Sequence, residues 1–262
     1  METQQEYEQF LELSAKAKEH RDKREYKEAE GYSEKALEIV RRLAEINPTR
    51  YTAPLAVTLN NHGDILLGQD RLLESCMLFR ESWNRFRKLP DDQYKDNRWN
   101  MTMAVNNYMM MYTNLGLEVE SAYEKALGAE NFNEARKLYK KALDIGEKIG
   151  LEQDRKAEIY LDYGILLQQN KLYADAGKIF NKALDSLVPI DEEHKDRFLF
   201  LRAKILSNIA FLKDDLEDYE ESERLLKEAI HIYEDLNNKD AGLYDEFIED
   251  LRKYLDSLYG EQ

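Results

Sequence analysis

One spacing recurs along this chain and restricts what it can fold into. Tyr26 is followed three residues later by Ala29 and seven beyond that by Ala36-Leu37. The same spacing returns as Phe132, Ala135 and Ala142-Leu143, as Tyr173, Ala176 and Ala183-Leu184, and as Tyr219, Ser222 and Ala229-Ile230. Leu72, Ser75 and Ser82-Trp83 form a looser version. Steps of three, four and seven place these residues on one side of a helix. Small residues there let a second helix approach closely, while a larger one between them (Phe79, Tyr139, Phe180 or Leu226) fills the space alongside.

Ahead of four of these segments lies another amphipathic stretch with a small residue at its middle: Ala17, Gly63, Gly164 and Ala210. The repeated unit is therefore an antiparallel pair of helices. Nothing alternates with period two for long enough to suggest a strand, and 35% charged with 43% apolar residues suits long amphipathic helices. All four prolines fall between the expected units, Pro48 and Pro54 after the first, Pro90 after the second and Pro189 after the fourth, and are read as boundaries. The marks at Ala29, Ser75, Ala135, Ala176 and Ser222 are 46, 60, 41 and 46 residues apart. The long interval exceeds its neighbours by about four helical turns, which keeps the buried face in phase. A stripe through Met101, Ala104, Tyr108, Met111, Leu115, Val119, Ala122, Ala126 and Ala129 predicts one over-long helix over residues 97–129, with a break at Gly116 as the alternative. Residues 243–259 are apolar on one face only, as a cap over the last repeat requires, with self-association through that face as the alternative.

This arrangement resembles the tetratricopeptide repeat, and residues 42–61 are similar to the longer-helix variety found in kinesin light chains and bacterial repeat arrays. The resemblance covers roughly residues 5–238. It implies an all-α fold, a right-handed α-solenoid of about five helix pairs with one over-long helix and a C-terminal capping helix. The expected organisation is a single domain over 1–262, with units at about 5–47, 51–89, 97–149, 152–188 and 192–238 and the cap at 241–259.

Several functional classes are disfavoured. A formal net charge of -15 argues against a nucleic-acid surface, which needs clustered Lys and Arg. The single Cys76 permits neither an internal disulfide nor a CxxC zinc site and reads as a small buried hydrophobe. The polar N-terminus does not read as a signal peptide, and no run approaches the roughly 18 apolar residues of a membrane span. A cytoplasmic location is expected. No catalytic signature appears, neither HExxH, GxSxG nor a phosphate-cradling glycine loop. His20, His62, His194 and His231 fall in separate units, so no metal or cofactor is expected, and the chain reads as a non-enzyme. No room for a helix-turn-helix is seen ahead of the repeats. Met109, Met110 and Met111 with Tyr108 and Tyr112 point all round their helix, so most of them are expected in the core. Residues 214–262 carry 17 acidic and 5 basic residues, a solvated end or a surface for a basic partner.

The asparagine pairs Asn60-Asn61 and Asn106-Asn107 are the candidate site, because asparagine is a mediocre helix former. The resemblance implies that the first helix of each pair lines a concave groove. In register with the small residues, Asn61 and Asn208 stand two positions before Gly63 and Ala210, with Asp162 in the same place before Gly164. Aligning residues 55–61 with 101–107 adds Asn107, while the first unit has Ala15 at the equivalent position. An amide can donate to a peptide carbonyl and accept from a peptide N–H, so such a row can hold an extended chain whatever its side chains. The expected groove residues are Asn60, Asn61, Asp64, Asn106, Asn107, Asp162, Gln168, Lys204 and Asn208. Their amides are expected to be solvated until a partner binds. The partner is expected to be a protein or an extended peptide segment, with no nucleic acid and no membrane. The alternative is a structural subunit that self-associates through its terminal helices, a homo-oligomer formed by the C-terminal helix.

Overall fold

Apolar positions spaced three and four apart become eleven α-helices in the computed structural model, which describes residues 2–187, 194–239 and 242–260. No strand occurs among these residues. Helix α1 (Glu2–Asp22) packs on α2 (Tyr26–Ile46), α3 (Pro48–Leu67) on α4 (Leu72–Phe86), α7 (Gln153–Gln169) on α8 (Tyr173–Ser186), and α9 (Lys195–Asp215) on α10 (Tyr219–Asn237). Between α4 and α7 run α5 (Asp91–Leu127) and α6 (Phe132–Ile149), and α11 (Asp245–Gly260) follows α10. By its internal contacts the chain divides into two compact units, residues 1–118 and 119–262, and the division falls inside α5.

The repeated small residues do what their spacing demands. A Cβ on Gly63 would stand 2.6 Å from the ring of Phe79, and one on Gly164 would overlap the ring of Phe180, so these two close approaches require glycine. Buried Ser75 and Ser82 on α4 donate to the carbonyls of Gly63 (2.8 Å) and Ala56 (2.7 Å) on α3, which satisfies hydroxyls that would otherwise be costly to bury.

Four pairs share one turn. Arg24, Asp70, Lys171 and Glu217 adopt left-handed backbone (φ 59 to 62°), each five residues before its small mark. In each, the following residue's N–H reaches back to a carbonyl of the last helical turn: Glu25 to His20, Arg71 to Leu66, Leu172 to Leu167 and Asp218 to Lys213. This closes the first helix as a glycine-type C-cap does, without glycine. The α5–α6 turn differs, because Asn131 caps α6 by accepting from the N–H groups of Asn133 and Glu134.

The prolines require one correction. Pro48 stands at the first position of α3 behind the N-cap Asn47, and Pro90 precedes α5, as boundaries should. Pro54, however, lies inside α3. An interior proline costs about 3 kcal/mol, and burial of Tyr51, Leu55 and Leu59 in one cluster with Phe10, Val40 and Leu43 outweighs it. Pro189 lies outside the described residues, as do the junctions at 188–193 and 240–241.

Helix α5 is one uninterrupted helix of 37 residues through Gly116, and it begins six residues before the expected start at 97. Met101, Ala104, Met111, Leu115, Val119, Ala122 and Ala126 form its buried stripe. Of the methionine run, Met111 is buried and Met109 and Met110 are exposed. In the second unit Ile248 and Leu251 of α11 complete a cluster with Leu206, Leu226, Ile230 and Tyr233, so α11 covers the apolar side of α10 as a cap.

Candidate functional site

In the first unit four of the expected residues converge. The Asn107 side-chain amide on α5 donates to Asn60 Oδ1 (3.1 Å) and Asp64 Oδ1 (3.2 Å) on α3. On the other side of α3, Arg21 of α1 lies 3.7 Å from Asp64 Oδ2 and donates to Asn61 Oδ1 at 3.5 Å. Asn60 is buried, Asn61 is exposed, and Asp64 is half-buried. Burial pushes the Asp64 carboxyl above its ordinary pKa, and the Arg21 charge pulls it the other way. Asn106 is exposed and stands apart from this cluster.

In the second unit two of the expected residues, Asp162 and Gln168, serve as ties. The Tyr123 hydroxyl on α5 donates to Asp162 on α7, with burial first and this bond second holding the phenol well above its usual range. Arg155 on α7 sits over the Tyr123 ring and pairs with Glu120 on α5. The Gln168 amide on α7 donates to Asp215 on α9 (2.6 Å). The Asn208 amide turns back on its own helix, donating to the Lys204 carbonyl (2.8 Å). The Tyr254 hydroxyl on α11 donates to Asp214 on α9, although neither had been singled out.

These contacts revise the expected state of the amides. Asn107 and Asn208 are already engaged in the free protein, and Asn60 with Asp64 accepts from Asn107, so this set does not stand solvated and waiting. Apart from Asn208, its prominent role is to join the first helix of one pair to the first helix of the next. The sequence register picked these positions by their spacing from the small residues. It did not show that a partner side chain stands about one repeat away on the neighbouring helix.

A concavity of the first unit lies beside this cluster. Helices α1 and α3 bound a cleft of about 340 Å³, floored by Phe10, Ala17, Ala36, Ala53 and Ile65. Leu11, Val57, Asn61 and, from α5, Asn97 line it as well, and its charged lining residues are Lys18 and Arg21, both basic. Ser14 on its wall has a buried hydroxyl with no hydrogen-bond partner among the described residues. Among the expected residues only Asn61 lines this cleft. Arg21, Lys18 and Ser14 were missed, because a basic or hydroxyl residue on a helix face carries no signal in so charged a sequence.

The remaining polar singularities are structural. Cys76 is fully buried, and burial pushes its thiol up to about 11, away from nucleophilic chemistry at neutral pH. His20 pairs with Glu25 (2.7 Å) and stacks on Tyr32, while His62 is buried. Among the described residues no group of three or more His, Cys, Asp or Glu side chains is placed to hold a metal ion, and no helix is long and apolar enough to cross a membrane.

Comparison with known proteins agrees with this architecture at its C-terminal pair. Residues 202–240, which span most of α9 and all of α10, match the family described as tetratricopeptide repeat. Among solved structures, the crystal structure of BtubC (BKLC) from P. vanneervenii is similar at 18% identity and a TM-score of 0.43, covering 88% of this chain and 81% of that one. No curated protein matches the chain. Residues 202–240 are thus similar to a tetratricopeptide repeat, and the helix pairs ahead of them share its antiparallel form and its small-residue contacts.

Proposed function

We propose that this protein is a non-catalytic scaffold that holds an extended segment of another protein in the cleft between α1 and α3. Tetratricopeptide repeats generally mediate protein–protein interaction. The observation that carries the reading here is the cleft itself. Its floor is apolar, its wall presents the unpartnered Ser14 hydroxyl, and its rim carries Asn61 with Arg21 and Lys18. A floor of small and apolar side chains suits the side chains of a bound segment, and the polar rim suits its backbone. Asn107 and Asn60 support the site at one remove, by tying α3 to α5.

Selection of binding peptides from a random display library, followed by fluorescence anisotropy, tests this. Leu11→Glu places a charge over the apolar floor and should abolish binding of the selected peptides. Asn61→Ala should weaken it by about 0.5 to 1.5 kcal/mol, roughly two- to tenfold. Asn208→Ala should leave it unchanged. Selected peptides that bind the Leu11→Glu protein as tightly as the wild type contradict the proposal.

A further inference from the structure

Residues 99–117 of α5 contain no charged side chain, in a chain where 35% of residues are charged. This stretch is nevertheless not hidden. On the side of α5 away from its buried stripe, Trp99, Met103, Asn106, Met110, Thr113 and Leu117 follow one another at steps of four and three, and all six are exposed. The apolar four are 74%, 38%, 47% and 66% exposed in chain order. A helix face that meets only water in so charged a chain would carry Lys and Glu. Loss of charge with retention of Trp and Met is the composition of an interface centre.

We propose that this face pairs with the same face of a second copy, the two α5 helices running antiparallel about a twofold axis beside Tyr108. The spacing is that of alternating a and d positions of a heptad, Met103, Met110 and Leu117 at a and Trp99, Asn106 and Thr113 at d. Antiparallel pairing layers each a on a d of the other copy: Leu117 on Trp99, Met110 on Asn106, and Met103 on Thr113. Each layer then sets a larger side chain beside a smaller one. Parallel pairing would instead stack Trp99 on Trp99 and both polar positions on themselves. The Thr113 hydroxyl already donates to the Met109 carbonyl (2.9 Å), so covering it strands no donor. The four apolar side chains expose on the order of 500 Å² per copy, and with their polar neighbours two copies reach the roughly 1,200 Å² lower end of stable interfaces. The contact runs about 28 Å along the helix.

Light scattering across a dilution series tests the pairing. The wild-type mass should rise from one chain towards two with concentration, and Trp99→Glu/Leu117→Glu should stay at one chain with an unchanged far-ultraviolet spectrum. A Phe247→Glu change on α11 should not alter the wild-type behaviour. For orientation, Trp99→Cys and Leu117→Cys proteins oxidised separately should remain uncrosslinked, and their mixture should form a crosslinked dimer. A wild type that stays monomeric at all concentrations, a dimer that survives the double glutamate change, or self-crosslinking of either cysteine variant would overturn the proposal.

Discussion

At the residue scale, the asparagines divide by what their amides touch, and that division is measurable. Asn107→Ala removes a donor shared by Asn60 and the half-buried Asp64, leaving the buried Asn60 carbonyl without it and Asp64 with Arg21 alone. It should cost about 1 to 3 kcal/mol in thermal or chemical unfolding. Asn61→Ala and Asn208→Ala should change stability by less than about 0.5 kcal/mol, since the first is exposed and the second bonds its own helix. Equal losses in all three would refute this assignment. His62 supplies a second test. It is buried, its Nδ1 has no hydrogen-bond partner among the described residues, and burial drives its pKa below the ordinary value, with Arg71 and Arg41 adding to that effect and Glu30 and Glu34 opposing it. Below about pH 6.5 the unfolded chain therefore takes up a proton that the folded chain refuses, and stability falls as pH drops through that range. Between about pH 7.5 and 5.5 the wild type should lose more thermal stability than His62→Gln, in which this titration is absent. Matching losses would show that His62 does not contribute.

At the element scale, the helix pairs were legible in the sequence and their turns were not. Close packing needs a small residue at a fixed phase, so Gly63 opposite Phe79 and Gly164 opposite Phe180 left a repeating mark. The left-handed turn residues left none, because Arg24, Asp70, Lys171 and Glu217 are charged side chains in positions where glycine is the familiar signal. Pro54 misled for a related reason: local rules price an interior proline, and only the tertiary cluster around Leu55 and Leu59 outweighs that cost. Likewise, nothing local announces that Asn107 will meet Asn60, 47 residues earlier. The over-long helix was recoverable because four added turns preserve its buried stripe. Its continuity predicts that Gly116→Ala is stabilising by about 0.5 to 1 kcal/mol, since an added Cβ there meets no atom within 4 Å and alanine favours the helix. A measured loss of about 1 kcal/mol or more would mean that the helix is interrupted at this position.

At the scale of the whole molecule, a repeat array is stable only if its last apolar face is covered. Here α11 supplies that cover for the second unit, burying Ile248 and Leu251 with Tyr244, Tyr254 and Leu255 partly buried around them. Removing residues 240–262 should lower unfolding free energy by at least about 3 kcal/mol, or cause aggregation, because Tyr233, on which Tyr244 and Phe247 stack, and its apolar neighbours lose their cover. An equally stable and soluble truncated chain would show that α11 is no cap. The same stacking that makes an array also makes its first helices the walls of any cleft, which is why the binding reading rests on α1 and α3. The most direct measurement of that central claim is photocrosslinking of a selected peptide carrying a benzophenone side chain, with the attachment sites mapped by mass spectrometry. Attachment to α1 and α3, around Leu11, Val57 and Asn61, is the result expected; attachment confined to the second helices of the pairs, α2, α4, α6, α8 and α10, would contradict it.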